Sequence, residues 1–105
     1  MTLPIRGEVW WGETPDAKGR PYLVLTRDEA IPVLRTILVA PVTRTIRGIP
    51  TEVPLSADEG LPTECVAAFD ALTVFPRSML ARRMGAIALV RAHELCDALA
   101  AATDC

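Results

Sequence analysis

Residues 19–26 read GRPYLVLT, and the fold turns on how the run that starts at Tyr22 is read. Tyr22, Leu23, Val24 and Leu25 follow one another with no polar residue between them. A strand with one wet face alternates apolar and polar positions, so an unbroken run suits a strand covered on both faces. Ahead of it stands Arg20, between Gly19 and Pro21. Proline fixes its own φ and favours extended backbone in the residue before it, which holds Arg20 at the mouth of the strand.

Working outward, further strands are expected at 7–11 (GEVWW), 36–42 (TILVAPV), 50–55 (PTEVPL), 64–68 (ECVAA), 71–75 (ALTVF, closed by Pro76) and 82–88 (RRMGAIA). Pro41 predicts a bulge or an edge position in the second of these. The stretch 12–21 (GETPDAKGRP) reads as a loop of about nine residues, longer than a tight hairpin needs and suited to a mobile flap. At the other end, 91–103 (RAHELCDALAAAT) repeats Ala92, Leu95, Cys96, Leu99 and Ala102 at helical spacing, with Arg91, Glu94 and Asp97 on other faces. Many short strands with one terminal helix predict a mainly β fold, a small, strongly curved antiparallel sheet or barrel capped by a C-terminal α-helix. The absence of alternating strands and helices argues against a doubly wound α/β fold.

The 105 residues, 11.4 kDa, suit one domain spanning 1–105, and 50% hydrophobic with 23% charged residues is an ordinary globular composition. No apolar stretch of about 18 residues occurs, and MTLPIRGEVWWGE lacks a hydrophobic signal region, so a cytoplasmic protein with no membrane segment is expected. Cys65, Cys96 and Cys105 are odd in number and form no CxxC pair, which predicts reduced thiols, not a disulfide framework or a zinc site.

Net charge is −2, but 30–51 holds Arg35, Arg44 and Arg47 and no acidic residue. Ten of the eleven basic residues are arginine, whose planar fork matches phosphate geometry; a GC-rich genome gives the same bias. No Walker loop, GxGxxG, HExxH or GxSxG is present, and the single histidine, His93, excludes any mechanism that needs a histidine pair. The scattered carboxylates form no metal cluster. What remains is polar residues at strand ends: Arg20; Thr43, followed by Arg44, Thr45 and Arg47; and Asp70 after the CVAAF run. They converge at one sheet edge if the three strands pair, and are routine flanking residues if not.

RGEVWW at 6–11, GRPYLVLTRD at 19–28, VAPVTRTIRGIPTEVPL at 39–55 and VAAFD–LTV at 66–74 resemble, in order and spacing, the MazF/PemK-type toxins of bacterial toxin–antitoxin modules. The resemblance implies an SH3-like barrel with a C-terminal helix, a homodimer, a small antitoxin partner, and sequence-selective RNA cleavage with no metal or other cofactor. It places the family's catalytic arginine on Arg20 and its catalytic threonine on Thr43. The implied chemistry is attack of a ribose 2′-OH on the adjacent phosphate, leaving 2′,3′-cyclic phosphate and 5′-OH ends. A guanidinium and a hydroxyl donor suit the charge that builds on the phosphorane oxygens. Arginine is a poor base at neutral pH, so Arg20 is assigned electrostatic work, with proton donation to the 5′ oxygen as an option. The group that takes the 2′-OH proton is left open.

The same resemblance assigns RNA contacts to Arg44, Thr45, Arg47 and Lys18, with Trp10, Trp11 and the 12–19 loop bordering the bases and one of the tryptophans packing in the core. Some family members carry an arginine two residues before the aspartate; here Ala68 stands there, so only Asp70 of that pair remains, to shape the pocket or contact a base. Within the same superfold, a gyrase poison acting through its C-terminal helix and a non-catalytic RNA-binding module are the alternatives.

Overall fold

Both faces of Tyr22–Leu25 are buried, and this divides the interior of the computed structural model, which describes residues 2–103, into two cores. The strands are β1 (Glu8–Thr14), β2 (Ala17–Val24), β3 (Thr36–Thr43), β4 (Glu52–Leu55), β5 (Cys65–Ala68), β6 (Thr73–Pro76) and β7 (Leu80–Ala86), followed by helix α1 (Ala92–Thr103). All pairings are antiparallel, in the order β4-β5-β3-β2-β1-β7, with β6 also on β3.

Strand alternation sorts side chains between the cores. Val9, Leu23, Leu25, Ala40 and Val42 join Val53, Leu55, Phe69 and the helix in one. Trp10, Tyr22, Val24, Ile37 and Val39 join Phe75 and Leu80 in the other. Each fully buried Leu or Val contributes about 1.5–3 kcal/mol through apolar surface removed from water. Pro41 is neither at a sheet edge nor in a bulge: it is buried in an interior strand. It forms the last β2–β3 pair, with Tyr22, where β3 passes from β6 to β5, so its missing N–H falls at the end of a ladder.

The expected flap at 12–21 is instead a tight hairpin. Thr14 pairs with Ala17 across Pro15 and Asp16, and the ladder runs on through Gly12–Arg20 and Trp11–Pro21. Turn residues and glycines hid the strand because its side chains lie at the rim, where packing is against one large ring. On α1 the buried stripe is Leu95 and Ala98, with Leu99 and Ala102 packed beside it; Cys96 and Ala92 are exposed. Cys65 is buried and both Cys65 and Cys96 are free thiols; Cys105 lies outside the described residues. No helix among the described residues is long and apolar enough to cross a membrane.

Two carboxylates fasten the curl. Glu59, 4% exposed, caps the turn at Ala57–Glu59 by accepting from the Ser56 amide (2.7 Å) and pairs with Arg91 (3.2 Å). Arg91 also donates to the Pro54 carbonyl at 2.7 Å and to Glu94, tying the helix start to β4. Gly60, at φ +89°, lies so close to β7 that an added Cβ would come within 2.1 Å of the Met84 carbonyl oxygen. Glu8 joins β1 to β7, accepting from Arg83 Nε (2.6 Å), Trp10 Nε1 (3.0 Å) and the Ile5 amide (2.7 Å).

Burial pushes the Glu8 carboxyl up, but those three donors outweigh it and hold its pKa below the ordinary carboxylate value. A depressed folded-state pKa stabilises the protein above the unfolded value, and that contribution is lost as pH falls through the folded one. Glu8→Gln is therefore expected to cost about 1–2 kcal/mol at pH 7. It should also flatten the stability loss below about pH 4.5. Urea unfolding between pH 7 and pH 3 checks both; equal pH slopes in the two proteins would refute the assignment.

Candidate active site

The β2–β3 register pairs Tyr22 with Pro41 and Leu23 with Ala40. Carried two residues further, it sets Arg20 opposite Thr43, the last residue of β3. Both stand where burial stops, for Arg20 is exposed and Thr43 half-buried beside buried Tyr22 and Val42. Arg20 shares the face of Tyr22, whose ring lies 4.5 Å from that of Phe75, centroid to centroid. Its partner across the ladder is Gly12, where a Cβ would meet those rings at 2.8–3.0 Å. Two aromatic rings, tilted by 36° to each other, thus underlie the arginine's strand end.

Thr43 Oγ1 accepts from the Thr45 amide at 3.2 Å, and among the described residues nothing accepts the hydroxyl hydrogen. That leaves a positioned donor. Arg20 joins no ion pair among the described residues; the pairs belong to Arg83 and Arg91. An unpaired guanidinium and a free hydroxyl hydrogen at one strand end form a site for an anion.

Thr43 also borders a cavity of about 580 Å³ on the other face of β2, walled by Trp11, Pro21, Arg44, Leu61, Arg82 and Met84. Burial pushes the Cys65 thiol up and Glu59 adds to that, while Arg44 opposes it, so the cavity floor is inert at neutral pH and feels the arginine's field. A second groove, about 560 Å³, lies under Ile46 and Ile49 and carries Glu52, Asp58 and Glu64. Its carboxylates disfavour an anion.

The remaining expected contacts divide. Lys18 is exposed two residues before Arg20, on the same face of β2. Arg44 and Thr45 directly follow Thr43. Arg47 sits farther out, its amide and that of Gly48 held by Glu52 at 3.0 and 2.9 Å. Trp10 is core. Trp11 is half-buried, its Nε1 donating to Glu13 at 2.9 Å. Asp70 does not join this group within the chain. It lies in the 3-10 turn Phe69–Ala71, past the end of β5, does not line the cavity that Thr43 borders, and accepts from Thr51 Oγ1 at 2.6 Å.

Sequence reasoning missed Glu59 and Arg82. The first had a signal, since Ser56-Ala-Asp-Glu59 is a capping-box pattern. The second had none, because only strand register separates Arg82 from Arg83.

Fold and site define a small curled-sheet protein that presents cations and a hydroxyl to an anionic ligand at a strand end. Residues 5–103 match the family model described as PemK-like, MazF-like toxin of type II toxin–antitoxin systems, and the chain belongs to that family. A similar relative is the probable endoribonuclease MazF5 of Mycobacterium tuberculosis, 43% identical over 98% of this chain and 95% of the relative. Among solved structures, M. tuberculosis toxin MazF-mt6 is 34% identical with a TM-score of 0.85, over 92% of this chain and 96% of that one. A MazE–MazF complex of Deinococcus radiodurans is 28% identical with a TM-score of 0.79, over 98% of each chain.

The Trp11 ring lies against the Gly19 backbone, where a Cβ would fall 2.4 Å from the indole. Gly19→Ala should displace the ring and cost about 1–3 kcal/mol. Urea unfolding measures the loss and tryptophan emission the displacement; an unchanged spectrum and midpoint would show that the ring does not rest there.

Proposed function

We propose that this chain, as a single domain over 1–105, is a toxin that cuts single-stranded RNA at selected sequences in the cytoplasm, stopping translation until a small antitoxin binds it. What carries this reading is the β2–β3 register, which, extended two residues past its last pair at Tyr22–Pro41, sets Arg20 opposite Thr43, with the threonine's hydroxyl hydrogen unclaimed among the described residues. The relative named as a probable endoribonuclease and the solved MazE–MazF complex support the activity and the partner.

In the reaction, the ribose 2′ oxygen bonds to the adjacent phosphorus and the bond to the 5′ oxygen breaks. The 2′ proton leaves and one proton reaches the departing 5′ oxygen, giving 2′,3′-cyclic phosphate and 5′-OH ends. Arg20 faces the phosphorane oxygens and stabilises the charge that develops there; Thr43 donates to a non-bridging oxygen and fixes the phosphate. These groups supply charge stabilisation without a metal ion. Lys18, Arg44, Thr45 and Arg47 hold the backbone on either side, and Trp11 walls the cavity that borders Thr43.

The proposed assembly is a homodimer. Val33 (78% exposed) and Val74 (63% exposed) lie on neighbouring elements with Leu34 and Met79, joined by a hydrogen bond from the Arg77 amide to the Arg35 carbonyl at 2.9 Å. Covering this apolar face would remove it from water. Such a dimer also offers a route by which Asp70 reaches a site that it does not reach within its own chain.

Purified protein incubated with RNA and EDTA should yield 5′-OH ends, and Arg20→Ala should slow cleavage by about 100-fold or more. Cleavage by Arg20→Ala at the wild-type rate would sink the mechanism. Val74→Glu should shift the protein from dimer to monomer in light scattering; an unchanged mass would place the interface elsewhere.

A further inference from the structure

Among the arginines near the site, Arg82 has no role in the reaction described above. It pairs with Trp11 across the β1–β7 ladder, and its guanidinium carbon lies 5.6 Å from the centre of the Trp11 ring. This is cation–π distance. The ring is itself fixed: Gly19 of β2 lies against it and Glu13 takes its N–H. Arg82 therefore rests on a rigid plate at the wall of the cavity that Thr43 borders.

Its neighbour shows the contrast. Arg83 spends its Nε on Glu8, whereas no carboxylate among the described residues pairs with Arg82. A guanidinium laid on a ring keeps its N–H donors in its own plane, directed past the ring edge. Beside Thr43, Arg44 and Thr63 the wall is largely apolar, with Pro21, Leu61, Pro62 and Met84, and that part suits a flat, uncharged group better than a phosphate. About 580 Å³ accommodates a nucleobase with part of its sugar.

We propose that Arg82 is a specificity-determining residue of the cleavage reaction, receiving a guanine in this cavity through paired hydrogen bonds to its O6 and N7. The inference rests on the endoribonuclease reading. Among the bases, guanine presents two acceptors side by side on that edge, the pattern that matches the arginine fork. Arg44, on the same cavity, is left to the adjoining phosphate, and Thr43 sets the distance between the base and the scissile bond.

The test is cleavage of a single-stranded RNA library with randomised sequence, its 5′-OH ends mapped by sequencing, for wild type, Arg82→Ala and Arg82→Lys. Wild type should prefer guanine at one fixed position relative to the cut. Both variants should lose that preference by about tenfold or more while other positions keep theirs. The lysine variant retains the charge and lacks the fork, so it separates base recognition from charge. An unchanged guanine preference in both variants overturns the proposal. So does a uniform drop at all sequences, which marks a phosphate contact, or loss of preference for another base. No cleavage by wild type overturns the endoribonuclease reading and this proposal together, whereas the other adverse outcomes overturn this proposal alone. Arg82 is exposed on an edge strand, and matched thermal unfolding of the three proteins separates altered recognition from altered folding.

Discussion

Burial on both faces of β2 and β3 is the constraint from which the rest follows. Tyr22 and Val24 serve one core while Leu23 and Leu25 serve the other, and β3 divides Ile37 and Val39 from Ala40 and Val42 in the same way. A strand with both faces committed to packing has nowhere along its length to hold a reactive group. Chemistry is confined to where the buried stretch ends. Thr43 is the first residue past it on β3 and Arg20 the second on β2, after half-buried Pro21, and the register, extended beyond its last pair at Tyr22–Pro41, sets the two level. Pro21 sharpens the boundary, since it belongs to the ladder and leaves its predecessor extended.

That constraint also explains which parts of the chain were readable. The run from Tyr22 to Leu25 announces itself because two-sided burial removes alternation, and α1 because its stripe recurs at 3.6 residues. The β1–β2 hairpin was hidden because its outer half buries little: Lys18 and Arg20 are exposed, and Gly19 serves to admit the Trp11 ring. Choosing Ala98 over Cys96 for the helix core depends on the angle at which α1 meets β4, which no periodicity contains. Arg20 and Thr43 were legible as a motif, but their alignment was not, since register is a property of two strands. Arg82 lies one step further away, because a bulge between Val9 and Trp10 sets which of two adjacent arginines faces Trp11.

The arginines divide by what surrounds them. Arg6 donates to the Leu25 carbonyl, Arg77 to that of Ile31 at 2.5 Å, and Arg83 and Arg91 to Glu8 and Glu59. Each closes a seam between elements distant in sequence. Arg20, Arg44 and Arg82 join no ion pair among the described residues, and they stand around the ends of β2 and β3. Within a seam a carboxylate or carbonyl takes the place of water lost on packing, as at partly buried Arg91; at the mouth, solvent hydrates the cation until a ligand replaces the water.

The acidic residues divide in a complementary way, which resolves the conflict between a net charge of −2 and an anion site. Among the described residues, Glu8, Glu13, Asp28, Glu52, Glu59, Asp70 and Glu94 accept hydrogen bonds inside the chain. Most of them are engaged by donors away from the cavity that Thr43 borders, Glu13 on Trp11 being the exception. Over a screening length of about 8 Å at physiological salt, a ligand at Thr43 senses the nearby guanidiniums far more than the chain's average. The pI therefore describes the molecule seen from a distance, while binding is governed by the few groups within one screening length of Thr43. High salt would act on those groups directly, weakening capture of an anionic strand without loosening the buried seams that hold the mouth in shape.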